Sequence, residues 1–194
     1  MAVKTIPLIP GKFYHIYNRA CGYEKIFWED YNYDFFLEKF VERMGQILNL
    51  YCYCLIPNHF HLLVRMKDLG IGEKSSQFYS KKFSNFFNSY AQSFNRYYKR
   101  HGSLFSQNFK RKDVDEITYR RMVVIYIHRN PLKHELVDDL IKWQHSSYQE
   151  ILNSKSEICC GEEVINWFGN REIFEFCHQL KAEIPLEVFK TSKG

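Results

Sequence analysis

The sequence contains little glycine and proline and has no long apolar run. Only nine Gly and five Pro occur in 194 residues, whereas 45% of the residues are apolar and 18% are aromatic. This composition excludes collagen-like, low-complexity and disordered classes of protein and predicts a packed core. The longest segment without Asp, Glu, Lys or Arg, residues 45–64, is interrupted by Gln, Asn, Pro and two His. We therefore expect no membrane-spanning helix.

An acidic surplus and a secretion signal are also missing. Lys and Arg total 27 against 22 Asp and Glu, which leaves a formal net charge of +5. This modest positive charge permits a nucleic-acid partner but does not require one. The first twelve residues lack the apolar stretch of a signal peptide, so we expect a cytoplasmic protein whose six cysteines are reduced thiols.

The hydrophobic periodicity predicts four strands and three long helices. The predicted strands are residues 12–19, 48–56, 59–66 and 106–114, and the predicted helices begin at Asp30 or span 76–100 and 117–130. Shorter helices are predicted at 146–152, 162–168 and 171–180. This order is typical of an α+β ferredoxin-like sandwich, with an antiparallel sheet, helices packed on one face, and further C-terminal helices. We predict one domain at 1–155 and a C-terminal helical extension at 156–194.

A pair of histidines on a predicted strand forms the first candidate site. His59 and His61 alternate along the strand, so their side chains project from the same face while Phe60 points the other way. Two adjacent imidazoles can hold one metal ion. In a chain with eight His, however, such a pair also arises by composition alone, so metal binding and a purely structural role stay open.

A tyrosine and an asparagine near the end of a predicted helix form the second candidate site. Tyr126 and Asn130 are four residues apart and therefore lie on the same helix face. The amide oxygen of Asn130 could bind a metal, and the phenol of Tyr126 would lie close to the same ion. Alternatively, Asn130 only ends the helix before Pro131, and Tyr126 is a half-buried ring. Combined with the two imidazoles, the pair would supply a divalent cation and an oxygen nucleophile, which transesterification of a phosphodiester requires.

Five segments containing these residues resemble the single-tyrosine HUH transposases of the insertion-sequence-200-like family, and most closely their REP-associated branch. They are GKFYHIYNRA at 11–20, CLIPNHFHLLV at 54–64, GSLFSQNFK at 102–110, YIHRNPLKHELV at 126–137 and WQHSSYQ at 143–149. They occur in family order. Insertion-sequence members carry Gln at the third metal-binding position, whereas the REP-associated branch carries Asn, as here.

The resemblance implies a function and a site. His59, His61 and Asn130 would bind Mg²⁺ or Mn²⁺, and Tyr126 would attack single-stranded, hairpin-bearing DNA to form a 5′-phosphotyrosine link. The basic residues that we expect to contact DNA are Arg19, Lys110, Arg111, Lys112 and Arg129. The family implies a monomer or a homodimer, with no membrane partner.

Three alternatives to this function are considered, of which two are binding proteins and one is another enzyme. The first is a DNA-binding relative that no longer transposes, and the second is another HUH nickase of the replication-initiator or relaxase type. A pure RNA-recognition module would need a Lys/Arg-Gly-Phe/Tyr signature, which the sequence lacks. A Cys/His zinc site at Cys52 and Cys54 is also conceivable, because a hairpin closed by Pro57 and Asn58 would place Cys54 opposite His61.

Overall fold

A computed structural model describes residues 6–106 and 108–180 and contains a four-stranded antiparallel sheet. The strands are β1 (Phe13–Arg19), β2 (Leu48–Ile56), β3 (His59–Met66) and β4 (Lys110–Asp113), in the spatial order β2-β3-β1-β4. The α+β class and the antiparallel sheet are thus confirmed. The edge strand β4 is shorter than predicted, because Phe109 leaves the strand ladder to pack its ring against Phe83 and Phe87.

The hairpin between β2 and β3 is closed by the two residues Pro57 and Asn58, as the sequence predicts. The neighbouring chain holds this turn in place. The carbonyl of Pro57 accepts hydrogen bonds from the backbone N–H groups of Ile26 and Phe27, and the carbonyl of Asn58 accepts one from Ala20. The turn leads directly into the first histidine of the candidate site, so these bonds position the start of β3.

One face of the sheet is covered by the two long helices α1 (Asp30–Met44) and α2 (Ser75–Tyr97). Aromatic side chains of both helices pack against the sheet and against each other. Phe36 of α1, for example, contacts Phe60 of β3 and Phe86 of α2. The helix α1 begins at Asp30, as predicted, and is capped by Glu29 through a capping box with Asn32. The space between this face and the two helices is a packed apolar core. It holds the sheet in place, and the candidate site lies on the sheet's other face.

The opposite face of the sheet is covered by the helices that follow β4. The covering helices are α3 (Ile117–His128), α4 (Asn130–Lys133), α5 (Tyr148–Leu152), α6 (Gly161–Phe168) and α7 (Arg171–Gln179). The reason is that the sheet is apolar on both sides: Cys52, Cys54 and Leu63 are buried under α3, whereas Leu62 and Val64 face the other way.

The helices α6 and α7 belong to this second core, to which they contribute Val164, Trp167, Phe168 and Phe174. The division of the chain near residue 155 stays a prediction, and residues 181–194 of the predicted extension lie outside the described residues.

Short 3₁₀ turns occur at Gly72–Lys74 and Leu140–Lys142. Within residues 6–106 and 108–180, no helix is both long enough and apolar enough to cross a membrane.

Candidate active site

The two histidines of β3 face the helix α3, as strand alternation predicts. In the ladder His61 pairs with Tyr17 of β1, and His59 pairs with Arg19. Phe60, between them, points into the other core and is fully buried. The imidazole rings of His59 and His61 lie 5.0 Å apart, centre to centre. The strand therefore presents both imidazoles to the same space.

Hydrogen bonding leaves one nitrogen of His59 available as a ligand. Its Nδ1 lies 2.8 Å from the Oδ1 of Asn58, which can only accept, so Nδ1 carries the proton. The lone pair is then on Nε2, which lies 3.5 Å from the Oδ1 of Asn130. Burial, assisted by the field of His134, lowers the pKa of His59 to about 4, so the ring is neutral at pH 7.

The orientation of Asn130 follows from the proline that comes next. Pro131 has no N–H, so the carbonyl of Ile127, four residues earlier, lacks its usual helical donor. The Nδ2 of Asn130 donates to that carbonyl at 3.4 Å and to the carbonyl of Tyr126 at 2.8 Å. Because both bonds use the amide nitrogen, the amide oxygen is turned towards His59. Asn130 thus satisfies carbonyls at the end of α3 and also presents an oxygen, so a structural role and a ligand role are compatible.

His61 lies deeper than His59 and contacts a histidine of β1. Its Nδ1 is 2.9 Å from the Nε2 of His15, whereas its own Nε2 is buried without any hydrogen-bond partner among the described residues. Burial lowers the pKa of His61 well below its usual range and that of His15 to about 3. Both rings are therefore neutral, which is the state in which an imidazole binds a metal.

The helix α3 brings Tyr126 to this group. The Tyr126 ring centre lies 5.4 Å from that of His61 and 6.0 Å from that of His15, both edge to face. The Nζ of Lys133 lies 5.3 Å from the centre of the Tyr126 ring. Burial raises the pKa of the phenol, and an interaction with Asn130 partly opposes that shift. At neutral pH the phenol is protonated and needs activation before it can attack.

The candidate ligands for a divalent metal are three atoms: Nε2 of His59, Nε2 of His61 and Oδ1 of Asn130. The buried Nε2 of His61 is an acceptor without a partner, which a cation would satisfy. Metal–ligand bonds are about 2.1 Å long, so two ligands of one ion lie roughly 3 to 3.5 Å apart, which matches the His59–Asn130 separation.

The zinc alternative receives no support from the described residues. The predicted register is correct, since Cys54 pairs with His61, but Cys52 and Cys54 are buried in the apolar core under α3. Burial raises the pKa of both thiols, which disfavours the thiolate that zinc requires. Residues 6–106 and 108–180 contain no group of three or more His, Cys, Asp or Glu that could hold a metal. The candidate centre consists instead of two imidazoles and an amide.

The predicted basic residues separate into two groups. Arg19, Lys110 and Lys112 lie on the same face of the sheet as the histidines, because Arg19 pairs with His59 and the two lysines pair with Tyr17 and His15. The other two are directed elsewhere. Arg111 lies on the opposite face, where its Nη1 donates to Ser80 of α2 at 2.7 Å. Arg129 donates to the carbonyl of Leu180 at the end of α7.

Four residues of the site were not singled out from the sequence: His15, Tyr17, Lys133 and His134. Tyr17 stacks on His15 with ring centres 4.8 Å apart, and the ring of His134 lies 4.7 Å from that of His59. The sequence did contain a signal for His15 and Tyr17: they alternate along the predicted first strand, within the segment GKFYHIYNRA, and therefore share a face. Lys133 and His134 belong to the turn of helix that begins with Asn130.

No protein-family model matches this sequence, and no curated protein matches it. Among solved structures, the chain is similar to that of a REP-associated tyrosine transposase bound to a REP hairpin, with a TM-score of 0.61. The similarity covers 81% of this chain and 90% of that chain, at 15% sequence identity. At this low identity the comparison concerns architecture, and this chain has the fold of that transposase.

Proposed function

We propose that this protein is a divalent-metal-dependent enzyme that nicks and rejoins single-stranded, hairpin-bearing DNA through a phosphotyrosine intermediate at Tyr126. The observation that carries the proposal is the convergence of two imidazole nitrogens and an amide oxygen beside one phenol. The fold shared with a transposase bound to a DNA hairpin supports the same class of substrate.

Each residue of the site has a separate role in this reaction. His59, His61 and Asn130 would hold Mg²⁺ or Mn²⁺, which, when bound, withdraws charge from a phosphate oxygen and stabilises the transition state. Mixed nitrogen and oxygen ligands suit these ions, and imidazole favours Mn²⁺ over Mg²⁺. Lys133 places a positive charge over the Tyr126 ring, which favours the phenolate as it forms.

The covalent step exchanges one phosphodiester for another. The Tyr126 oxygen loses its proton to water and attacks phosphorus, and the bond from phosphorus to the 3′ oxygen breaks. The departing 3′ oxygen takes up a proton, and the 5′ phosphate stays linked to the tyrosine. Because one ester replaces another, the 3′-hydroxyl of a second strand can reverse the step without ATP.

The sheet face that carries the histidines is suited to holding the DNA backbone. Arg19, Lys110 and Lys112 lie on this face, and basic side chains bind phosphates without reading sequence. His59, His61, Asn130 and Tyr126 all come from one chain, so a single protomer could act. Whether the protein is a monomer or a homodimer stays a prediction.

The proposal is tested by trapping the covalent intermediate. Wild-type protein would be incubated with Mn²⁺ and single-stranded hairpin oligonucleotides taken from the DNA that flanks its gene, and the adduct separated on a denaturing gel. We expect an adduct whose digest places the modification on Tyr126, and no adduct with Tyr126→Phe, since that change removes only the hydroxyl.

Three other tyrosines provide matched controls. Tyr17 is the closest rival, with its ring 5.7 Å from that of His61. Tyr119 lies two turns earlier on α3, and the hydroxyl of buried Tyr90 donates to the carbonyl of Ile26. The Phe variants of all three should still form the adduct. An adduct that persists in Tyr126→Phe and disappears in Tyr17→Phe would contradict the assignment.

A further inference from the structure

His15 is the group in contact with the candidate centre whose role is still unexplained. It lies on β1, is 2% exposed, and its Nε2 is 2.9 Å from the Nδ1 of His61. Its other ring nitrogen, Nδ1, is buried and has no hydrogen-bond partner among the described residues. A buried imidazole whose only hydrogen bond goes to another imidazole requires an explanation, because a buried polar atom without a hydrogen-bond partner destabilises the folded protein.

One proton lies between the two nitrogens of the 2.9 Å contact, and either nitrogen can carry it, which gives two arrangements. In the first, Nδ1 of His61 carries the proton and donates to His15, which leaves a lone pair on Nε2 of His61. In the second, Nε2 of His15 carries the proton, and Nε2 of His61 is then protonated and cannot bind a cation. Only the first arrangement makes His61 a ligand through the nitrogen that the protein leaves unsatisfied.

We propose that His15 is a positioning residue. It accepts a hydrogen bond from the Nδ1–H of His61 and thereby keeps the Nε2 of His61 free to bind the metal. The inference rests on the proposed function, and it extends the site by one residue beyond the ligands. A histidine ligand usually donates its second N–H to a carboxylate or a carbonyl, which fixes its tautomer. Here a neutral imidazole from another strand takes that position.

The surroundings of His15 hold its ring in place for this task. Tyr17 stacks on it with ring centres 4.8 Å apart and an angle of 28° between the ring planes, and the centre of the Tyr126 ring lies 6.0 Å away in an edge-to-face arrangement. The ladder pairs His15 with Leu63 and Tyr17 with His61, so the contact between His15 and His61 is diagonal and depends on the β1–β3 register. His15 therefore links the nucleophile helix, the first strand and the metal ligand.

The test compares His15→Gln with His15→Phe, with Mn²⁺ affinity measured by electron paramagnetic resonance in the absence of DNA. The Gln side chain offers an amide oxygen that can accept the His61 proton, whereas Phe keeps the ring and removes the acceptor. We expect Mn²⁺ affinity within a few-fold of wild type for His15→Gln and a loss of roughly 10- to 100-fold for His15→Phe. His101→Gln changes an exposed side chain outside the site and should leave the affinity unchanged.

A spectroscopic signature provides a second readout that does not depend on any variant folding. In wild-type protein loaded with Mg²⁺, ¹⁵N NMR of the His61 ring should show a protonated Nδ1, and Nε2 of His15 should be unprotonated. A protonated Nε2 on His15 would overturn the proposal, as would equal Mn²⁺ affinity in His15→Phe and wild type. If wild-type protein binds no Mn²⁺ and forms no DNA adduct, the proposed function itself fails; if it does both, only the role of His15 is in question.

Discussion

Asn130 shows how one side chain can serve structure and chemistry together. Its amide nitrogen satisfies carbonyls at the end of α3, and its oxygen faces the Nε2 of His59. Gln at the same position would have a longer side chain, and Asp would have no N–H with which to hold the helix end. The amide is therefore suited to a position where a helix stops at proline and a ligand is needed in the same turn.

At this residue we predict that Asn130→Ala weakens Mn²⁺ binding roughly tenfold without abolishing it, since two imidazoles still bind the ion. Adduct formation should fall and then recover in part when Mn²⁺ is raised. Isothermal titration calorimetry gives the affinity.

Asn130→Asp is the matched variant. It keeps an oxygen ligand but loses both donations to the helix carbonyls, so it should retain Mn²⁺ binding while lowering the free energy of unfolding by about 1–3 kcal/mol. Complete loss of Mn²⁺ binding in Asn130→Asp, with the fold intact, would count against the amide oxygen as a ligand.

Among the elements, the helix α7 is tied to α3 by a buried chain of hydrogen bonds. The Nδ1 of His178 donates to the carbonyl of Phe174 at 2.7 Å, and its Nε2 accepts from the Nδ1 of His128 at 2.9 Å. The Nε2 of His128 accepts from the hydroxyl of Ser147, which in turn accepts from the backbone N–H of Tyr53. His128 lies between Tyr126 and Asn130 in the sequence, so this chain helps to hold the end of α3 on the sheet.

This chain predicts a loss of stability in acid. Burial lowers the pKa of His178 to about 4, so in the folded protein the ring stays neutral where the unfolded chain takes up a proton. The unfolded state binds more protons below about pH 6.5, so the free energy of unfolding should fall as the pH drops from 6.5 towards 4. A shift of this size corresponds to roughly 3 kcal/mol.

Urea unfolding at several pH values measures this effect. His178→Gln should be less stable than wild type at pH 7.5, and its stability should depend less steeply on pH between 6.5 and 4.5. His101→Gln, which changes an exposed side chain, is the control and should follow wild type. If the free energy of unfolding changes with pH in parallel for wild type and His178→Gln, then His178 has the same pKa in the folded and unfolded states, which would contradict the prediction.

Over the whole molecule, the basic residues of β1 and β4 that we expect to contact DNA are shared unequally between the two faces of the sheet. Arg19, Lys110 and Lys112 lie on the side of the histidines, and Arg111 lies on the side of α2. If the protein binds DNA as proposed, the face that carries the histidines is the one that would contact it, and three basic side chains would bind only a few phosphates.

We therefore predict tighter binding of a single-stranded hairpin than of the same sequence as a perfect duplex, because the phenol needs an accessible, unpaired phosphodiester. The dependence of affinity on salt should be shallow. Lys110→Ala should lower hairpin affinity and reduce the salt slope by about 0.7 to 0.9. Fluorescence anisotropy over a range of salt concentrations measures both quantities.

Arg111→Ala removes a neighbouring charge from the other face and is the matched control, expected to change the slope much less. Equal affinity for hairpin and duplex at the same salt would contradict the proposed substrate. Equal effects of Lys110→Ala and Arg111→Ala would contradict the assignment of one DNA-binding face.

Local patterns in the sequence determined most of the elements and the relative placement of residues within each element. Alternation predicted that His59 and His61 share a face, a two-residue turn predicted the hairpin register, and the spacing of Tyr126 and Asn130 predicted one helix face. These are short-range properties, because the periods of strands and helices are set by backbone geometry.

Tertiary structure decided what no local pattern specifies. The pairing of β1 with β3 joins residues 46 positions apart and brings His15 to His61, and the placement of α3 over the second face brings Tyr126 to both. Alternation along β4 separates Arg111 from Lys110 and Lys112, but the pairing of β4 with β1 decides that the two lysines are the ones on the face of the histidines. Helices cover both faces because both are apolar, and which residues then meet depends on long-range register and packing that a one-residue shift would change.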